Sequence, residues 1–424
     1  MAPSAISNAQ NNGSDVDLTA TAIDHKLEEA HAAADAAAGS NGSQKAVYQE
    51  LDASKLTYSF TKSPQTVPDV GVTSYKNQSI CTDHMLTANW NLETGWSAPE
   101  LKPYGPFTIS PTASVLHYAT ECFEGMKAYR GHDGKLRLFR PDCNAERLLM
   151  SSVRISLPSF PPSEVEKLVR AFMAVDGPKW LPRDRPGEFI YLRPTLIGTH
   201  SQLGVAAPAE AMLFIIASYM PPMDAPQGGM RLHTSPADMV RAWAGGFGYA
   251  KVGANYGPSL LATSEAKQRG FHQILWLYGE EGLCTEAGAS NFFVLWKNKD
   301  TGRTELVTAP LGDKIILDGV TRRSVLQLIR ERCAGEIDVV ERKYTIDEVV
   351  QAHDEGRLVE SFASGTAYFV CPISLIHHRG KDVSFPMGKK SEGGDLTLKV
   401  KGWLKDIMYG GEDHPWGVVV PEEQ

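Results

Sequence analysis

The sequence has no uninterrupted apolar run of about 18 residues, so no membrane-spanning helix is expected. It has no excess of positive charge either. The formal net charge is −8 and the pI is near 5.9, which argues against nucleic acid or an anionic membrane as the main partner. The six cysteines stand singly, and no pair has CxxC spacing, so neither a zinc site nor a disulfide framework is indicated. Reduced thiols in a cytosol-like compartment follow. The histidines show no ligand spacing with acids or cysteines, so no metal is expected. Arginine is absent before Arg130, while the N-terminal segment carries several acids and has no apolar h-region. That pattern fits neither a transit peptide nor a secretory signal. The expected compartment is the cytoplasm, with the mitochondrion as the alternative.

At 424 residues the chain is too long for one ordinary core, and two domains are expected. A hydrophobic share of 42% and a charged share of 22% are those of a soluble globular protein. Residues 1–55 form a low-complexity segment rich in Ala, Ser, Asn and Asp and read as disordered, with a weak helix around "DHKLEEAHAAADAAA". Residues 56–219 form a small domain. The stretch "MPPMDAPQGG" (220–229) is a Pro/Gly-rich linker, and 230–424 form a larger domain. "KLRLFR", "AMLFIIASY", "FHQILWLYG" and "NFFVLWKN" read as strands. Helices are expected from Asn144 to Arg154, over "SEVEKLVRAFMAV" with a Ser163/Glu166 capping box, over "GVTRRSVLQLIRER", and after Thr345 with Glu348 as its box partner and Gly356 as its stop. Interleaved strands and helices with frequent hairpins favour an α+β class.

Four stretches carry candidate chemistry. "TEAGASNFFVLW" places Glu286 at the mouth of a buried strand, where a carboxylate needs a cation: an arginine, a metal or a cofactor. "AWAGGFGYAKVGANYG" sets Lys251 among glycines, with Tyr256 nearby. A lysine kept uncharged can form a Schiff base with an aldehyde, and glycines admit a flat ligand close to the backbone. "LDGVTRRS" presents Val320 and Thr321 at a helix start, and "SGTAYFV" presents Thr366 and Ala367 in a donor-rich turn; both suit an anion. Each stretch taken alone also reads as a strand edge, an exposed loop lysine, or an ordinary helix start and turn.

Taken in order, "LHYATECFEGMKAYRG", "LRLFRPDCNAERLLMSSVR", "YLRPTLIG", "AGGFGYAKVGANYGPSL", "TEAGASNFFV", "ILDGVTRRS" and "SGTAYFVCP" resemble the branched-chain aminotransferases. These are pyridoxal-phosphate enzymes of fold type IV, with a small N-terminal α/β domain and a larger C-terminal α+β domain built on a barrel-like sheet. The resemblance implies transamination between branched-chain L-amino acids and 2-oxoglutarate, with pyridoxal 5'-phosphate as cofactor, in a homodimer. It implies that Lys251 binds the cofactor aldehyde and moves the substrate proton. It pairs Glu286 with the ring nitrogen and Tyr256 with the phenolate oxygen. Arg147, the amides of Val320 and Thr321, and Thr366 hold the phosphate. On the substrate side it implies an apolar pocket walled by Tyr118, Phe123 and Tyr191. Arg193 meets the distal carboxylate of glutamate, Val205 is lent by the neighbouring subunit, and the Ala367 amide meets the α-carboxylate. Ala289 stands where many members have a threonine, which removes about one hydrogen bond to that carboxylate, of order 1 kcal/mol. Mammalian members carry a redox CxxC where this chain has "YFVC", so Cys371 stands alone. Competing readings are a D-amino-acid or (R)-amine transaminase, an aminodeoxychorismate lyase, or an idle cofactor-binding regulator.

Overall fold

The structure is a computed structural model that describes residues 48–69, 80–219, 225–367 and 369–422. The helix expected near "DHKLEEAHAAADAAA" and residues 220–224 of the linker lie outside the described residues. Ordered structure begins earlier than the expected Leu56. Leu51 is fully buried, the Tyr48 hydroxyl accepts the Trp90 indole N–H at 2.8 Å, and Ala53–Lys55 form one 3-10 turn. Polar neighbours conceal this anchor in the sequence, because a single leucine and a single tyrosine do the holding.

The first sheet contains β1 (Thr57–Tyr58), β2 (His84–Asn91), β3 (Gly95–Trp96), β4 (Glu100–Pro103), β5 (Glu121–Phe123), β6 (Met126–Arg130), β7 (Leu136–Phe139), β8 (Phe189–Gly198) and β9 (Glu210–Ser218). The second contains β10 (Met230–Thr234), β11 (Gln273–Tyr278), β12 (Leu283–Ala287), β13 (Ser290–Lys297), β14 (Thr304–Thr308), β15 (Ile337–Glu341), β16 (Leu358–Gly365), β17 (Phe369–His378) and β18 (Lys381–Ser384). The changeover falls between Ser218 and Met230. A last strand, β19 (Gly417–Val420), departs from the expected 230–424 grouping: it returns to the first sheet and pairs with β7. In the second sheet β12 pairs with both β11 and β13, so β12, β11, β10, β17, β16 and β13 close into a ring. The expected barrel-like sheet is therefore a closed six-strand barrel in an α+β fold.

Helices α1 (Ser114–Tyr118), α2 (Pro141–Arg154), α3 (Pro162–Trp180), α4 (Ser259–Gln268), α5 (Val320–Arg332), α6 (Ile346–Asp354) and α7 (Asp395–Tyr409) complete the framework. The Thr345/Glu348 capping box of α6 is formed in both directions. Two expected starts shift. α2 opens on Pro141 rather than near Asn144, because proline is preset for the first helical position and Arg140 before it turns left-handed. α3 opens on Pro162, so Ser163 is already inside the first turn and makes no cap. The adjacent Glu164 instead accepts the Ala53 amide at 2.8 Å.

β13 explains why "NFFVLW" is apolar without alternation. Phe292, Val294 and Trp296 join a core cluster drawn from all six ring strands. Phe293 and Leu295 face the other way, into a cluster with Val325, Leu326 and Ile329 of α5 and Leu404 and Ile407 of α7. A strand buried on both faces loses the period-two pattern. Each such side chain contributes about 1.5–3 kcal/mol by leaving water, and together they hold the start of β13 and of α5 in one place.

Candidate active site

Lys251 sits in a short antiparallel pairing with β5. The bridge Cys122–Val252 and the bond from the Phe123 amide to the Lys251 carbonyl, at 3.0 Å, set Phe123 opposite Lys251. The Lys251 amide donates to Ser151 Oγ at 2.8 Å, on α2. A 3-10 turn over Gly253–Asn255 brings Tyr256 back, and Lys251 Nζ donates to its hydroxyl at 3.1 Å. Asn255 holds the glycine-rich run by donating to the Phe247 and Ala250 carbonyls at 3.0 and 2.9 Å. The segment is therefore a pinned platform, and the loop-lysine reading does not describe it.

Glu286 is buried at the end of β12, which turns through Gly288 and Ala289 into β13. Gly288 has φ +60°, as a two-residue hairpin with glycine first requires. Cross-strand register puts Asn291 opposite Glu286, and Asn291 Nδ2 lies 3.4 Å from Glu286 Oε1. The Leu317 amide donates to the same oxygen at 2.8 Å. Arg241 Nε lies 2.8 Å from the other oxygen, as an ion pair outside hydrogen-bond alignment. Burial raises the Glu286 pKa above the ordinary carboxylate range, and Arg241, the Leu317 amide and Lys251 oppose that rise. A cavity of about 310 Å³ opens beside this group, lined by Tyr256, Glu286, Ala289, Leu317 and Arg241; Lys251 and Arg193 are not in its wall.

The next residues form the candidate anion end. Asn291 Nδ2 donates to the Leu317 carbonyl at 2.8 Å, and its Oδ1 would lie 2.2 Å from any Cβ at Gly319, so only glycine fits at that N-cap. α5 begins there, leaving the first-turn amides of Val320 and Thr321 without intrahelical acceptors. Arg147 Nη1 donates to the Asp318 carbonyl at 2.8 Å. Its Nε and Nη2 donate to Glu124 at 2.7 and 2.8 Å. Burial alone would lower the Arg147 pKa, but Glu124 reverses this and leaves it raised. Thr366 Oγ1 donates to the Gly125 carbonyl at 3.1 Å, and the Ala367 carbonyl accepts Lys127 Nζ at 3.0 Å. These contacts link Glu286, the α5 start, Arg147, Gly125 and Thr366 into one frame.

On the substrate side, Arg193 Cζ lies 4.6 Å from the Phe123 ring centre, and Arg193 Nη2 donates to the Tyr191 hydroxyl at 3.1 Å. A Cβ at Gly125 would lie 1.9 Å from that hydroxyl, so glycine there admits Tyr191. Phe123 also contacts Tyr256, with ring centres 5.2 Å apart. Two candidates, Tyr118 and Val205, stand apart. Tyr118 is partly exposed and its hydroxyl donates to the Leu203 carbonyl. Val205 is 86% exposed; Ala289, exposed in its turn, lines the cavity beside Glu286. Tyr368, of the "YFVC" stretch, lies outside the described residues.

Sequence reasoning missed Arg241, Glu124 and Asn291. Asn291 was findable, since a two-residue turn at Gly288–Ala289 places it opposite Glu286. Arg241 and Glu124 carry no local signal.

The residues fit pyridoxal phosphate. A lysine amine, a buried carboxylate, and an arginine with helix-start amides are the donor set that an aldehyde, a ring nitrogen and a phosphate require. Comparison with known proteins agrees. The model of the amino-transferase class IV family matches residues 121–376. The mitochondrial branched-chain-amino-acid aminotransferase of Schizosaccharomyces pombe is 45% identical over 87% of this chain and 85% of its own. The cytosolic enzyme of Mus musculus is 44% identical over 80% and 86%. Among solved structures, the T.th. branched-chain amino acid aminotransferase with N-(5'-phosphopyridoxyl)-L-glutamate aligns with a TM-score of 0.58 at 26% identity, covering 79% of this chain and 98% of that one. The chain that carries Lys251, Tyr256 and Glu286 on this frame belongs to the class IV aminotransferases, in their branched-chain group.

Proposed function

We propose that this enzyme transfers amino groups between branched-chain L-amino acids and 2-oxoglutarate, with pyridoxal 5'-phosphate as its cofactor. The observation that carries this reading is the Lys251–Tyr256 contact, held on the same frame as a buried carboxylate and an anion-ready helix start. When bound, the cofactor supplies an aldehyde for the amino group and a protonated ring that accepts the electron pair left when the α-proton departs. Lys251 would hold the aldehyde, and its amine would take the proton from the substrate α-carbon. Tyr256 fixes the lysine amine and meets the phenolate oxygen. Glu286 keeps the ring nitrogen protonated. Arg147 retains N–H groups beyond those given to Glu124 and Asp318, and with the Val320 and Thr321 amides and Thr366 it holds the phosphate.

Phe123, Tyr191 and Tyr118 wall the side-chain pocket, and Arg193 meets the distal carboxylate of glutamate. The Ala367 amide meets the α-carboxylate, and Ala289 contributes shape but no hydroxyl. Val205 serves the partner's site in a homodimer. In support, Leu116, Leu203 and Val205 form apolar exposure around Tyr118, which a second copy would cover. Six free, buried cysteines fit a reducing compartment such as the cytoplasm, and the relatives include cytosolic and mitochondrial forms.

Borohydride reduction of the cofactor-loaded protein, followed by peptide mapping, tests the core of this reading. A pyridoxyl label on Lys251 is expected, and a label on any other lysine overturns it. Leucine, isoleucine, valine and D-alanine, each assayed against 2-oxoglutarate, test the substrate class. Sedimentation of the holoenzyme tests the dimer.

A further inference from the structure

A second carboxylate, Glu121, lies beside Phe123 and the Lys251 segment, and the reading above does not use it. Glu121 is the first residue of β5, two positions before Phe123, so the two side chains leave the strand on one face. The bridge Cys122–Val252 sets Glu121 opposite Gly253, as it sets Phe123 opposite Lys251. The packing there is tight: a Cβ on Gly253 would lie 2.0 Å from Glu121 Oε1. Glu121 is half-buried. Burial raises its pKa, and the charge of Arg193 opposes the rise.

Arg193 in turn is poorly satisfied. Its Nη2 reaches Tyr191 and its guanidinium covers the Phe123 ring, while its buried Nε has no hydrogen-bond acceptor among the described residues. Glu124, the other nearby acid, is committed to Arg147 and Asn144. Glu121 is therefore within the field of Arg193 without being joined to it in a direct ion pair. It does not hold the guanidinium in place. It offsets part of the positive charge that a substrate carboxylate would meet.

We propose that Glu121 is a specificity-determining residue that weakens binding of a second substrate carboxylate at Arg193 and so favours apolar side chains in this pocket. This rests on the reading of Arg193 as the distal-carboxylate receptor. An apolar side chain brings no charge past Glu121. A dicarboxylate brings one, and it meets repulsion from Glu121 together with attraction from Arg193. Two like charges in a half-buried site repel more strongly than they would in water.

The test uses the loaded enzyme in single-turnover and steady-state assays with leucine and with glutamate. Glu121→Gln keeps the shape against Gly253 and removes the charge. The KM for glutamate and 2-oxoglutarate should fall by about 3- to 10-fold, while that for leucine moves by less than about twofold. Glu121→Asp keeps the charge and loosens the packing, and should stay near the parent for both. Unchanged or raised dicarboxylate KM in Glu121→Gln overturns the proposal. So does an equal fall for leucine, or an Asp variant that behaves like the Gln variant. Arg193→Ala is run in parallel: equal losses for leucine and glutamate in that variant would defeat the reading of Arg193 itself, separately from the role of Glu121.

Discussion

Arg241 Nε lies 2.8 Å from Glu286 Oε2, so the carboxylate proposed to serve the ring nitrogen already has a protein cation beside it. Arg241 is itself fixed by donating to the Gly248 and Ile315 carbonyls at 3.1 and 3.0 Å. Burial pushes the Glu286 pKa up, and Arg241 is the largest influence pulling it down, ahead of the Leu317 amide, Lys251 and Arg322. Replacing Arg241 by Met removes that pull. The ionised form of Glu286 then appears only at higher pH, so the acidic limb of the kcat/KM profile should move upward. Activity at neutral pH should drop about tenfold for each unit of that move above neutrality. An acidic limb that stays in place would show that Arg241 only ties loops together.

Glu286→Gln should keep the fold and the cofactor, because an amide oxygen can still accept the Leu317 N–H. It cannot hold a proton on the ring nitrogen. A loss of several kcal/mol in the barrier, at about tenfold in rate per 1.36 kcal/mol, is expected in stopped-flow half-reactions. A variant within about threefold of the parent would mean that another group holds the proton.

Arg193→Ala should separate the two substrates. On the proposed reading glutamate brings a carboxylate to Arg193, between Phe123 and Tyr191, and leaving it unpaired there would be costly. A charged hydrogen bond is worth about 1.5–3 kcal/mol, so catalytic efficiency toward glutamate should fall about 10- to 150-fold. Leucine should lose far less.

The thiols should be silent. All six cysteines are buried and free, and burial pushes Cys371 up to about 12. At neutral pH a thiol with so high a pKa carries almost no thiolate. Iodoacetamide or mild peroxide should leave the native activity unchanged, while the unfolded chain should take up label at all six positions. Rapid inactivation reversed by reductant would contradict this.

Much of the frame is written locally. The α6 capping box, the glycine before α5 and the Gly288–Ala289 turn are set by side chains within three or four residues of one another, where backbone preference and hydrogen bonding act directly. Lys251 and Glu286 stood out as candidates for a similar reason, because each lies in a distinctive short motif. The anchor at Tyr48 and Leu51, the early starts of α2 and α3, and the return of β19 to the first sheet were not legible, since each depends on a distant partner.

The sequence by itself determined the family and singled out Lys251 and Glu286 as the candidate amine and acid. Only the tertiary structure decided that Arg241 stands beside Glu286, that Glu124 takes up Arg147, and that Glu121 shares a face with Phe123 near Arg193. These pairs come from different strands and loops, and no local period relates one member to the other. They meet because the six-strand ring closes and because β5 pairs with the Lys251 segment. Both are long-range packing events, selected by the burial of whole sheet faces rather than by any one residue.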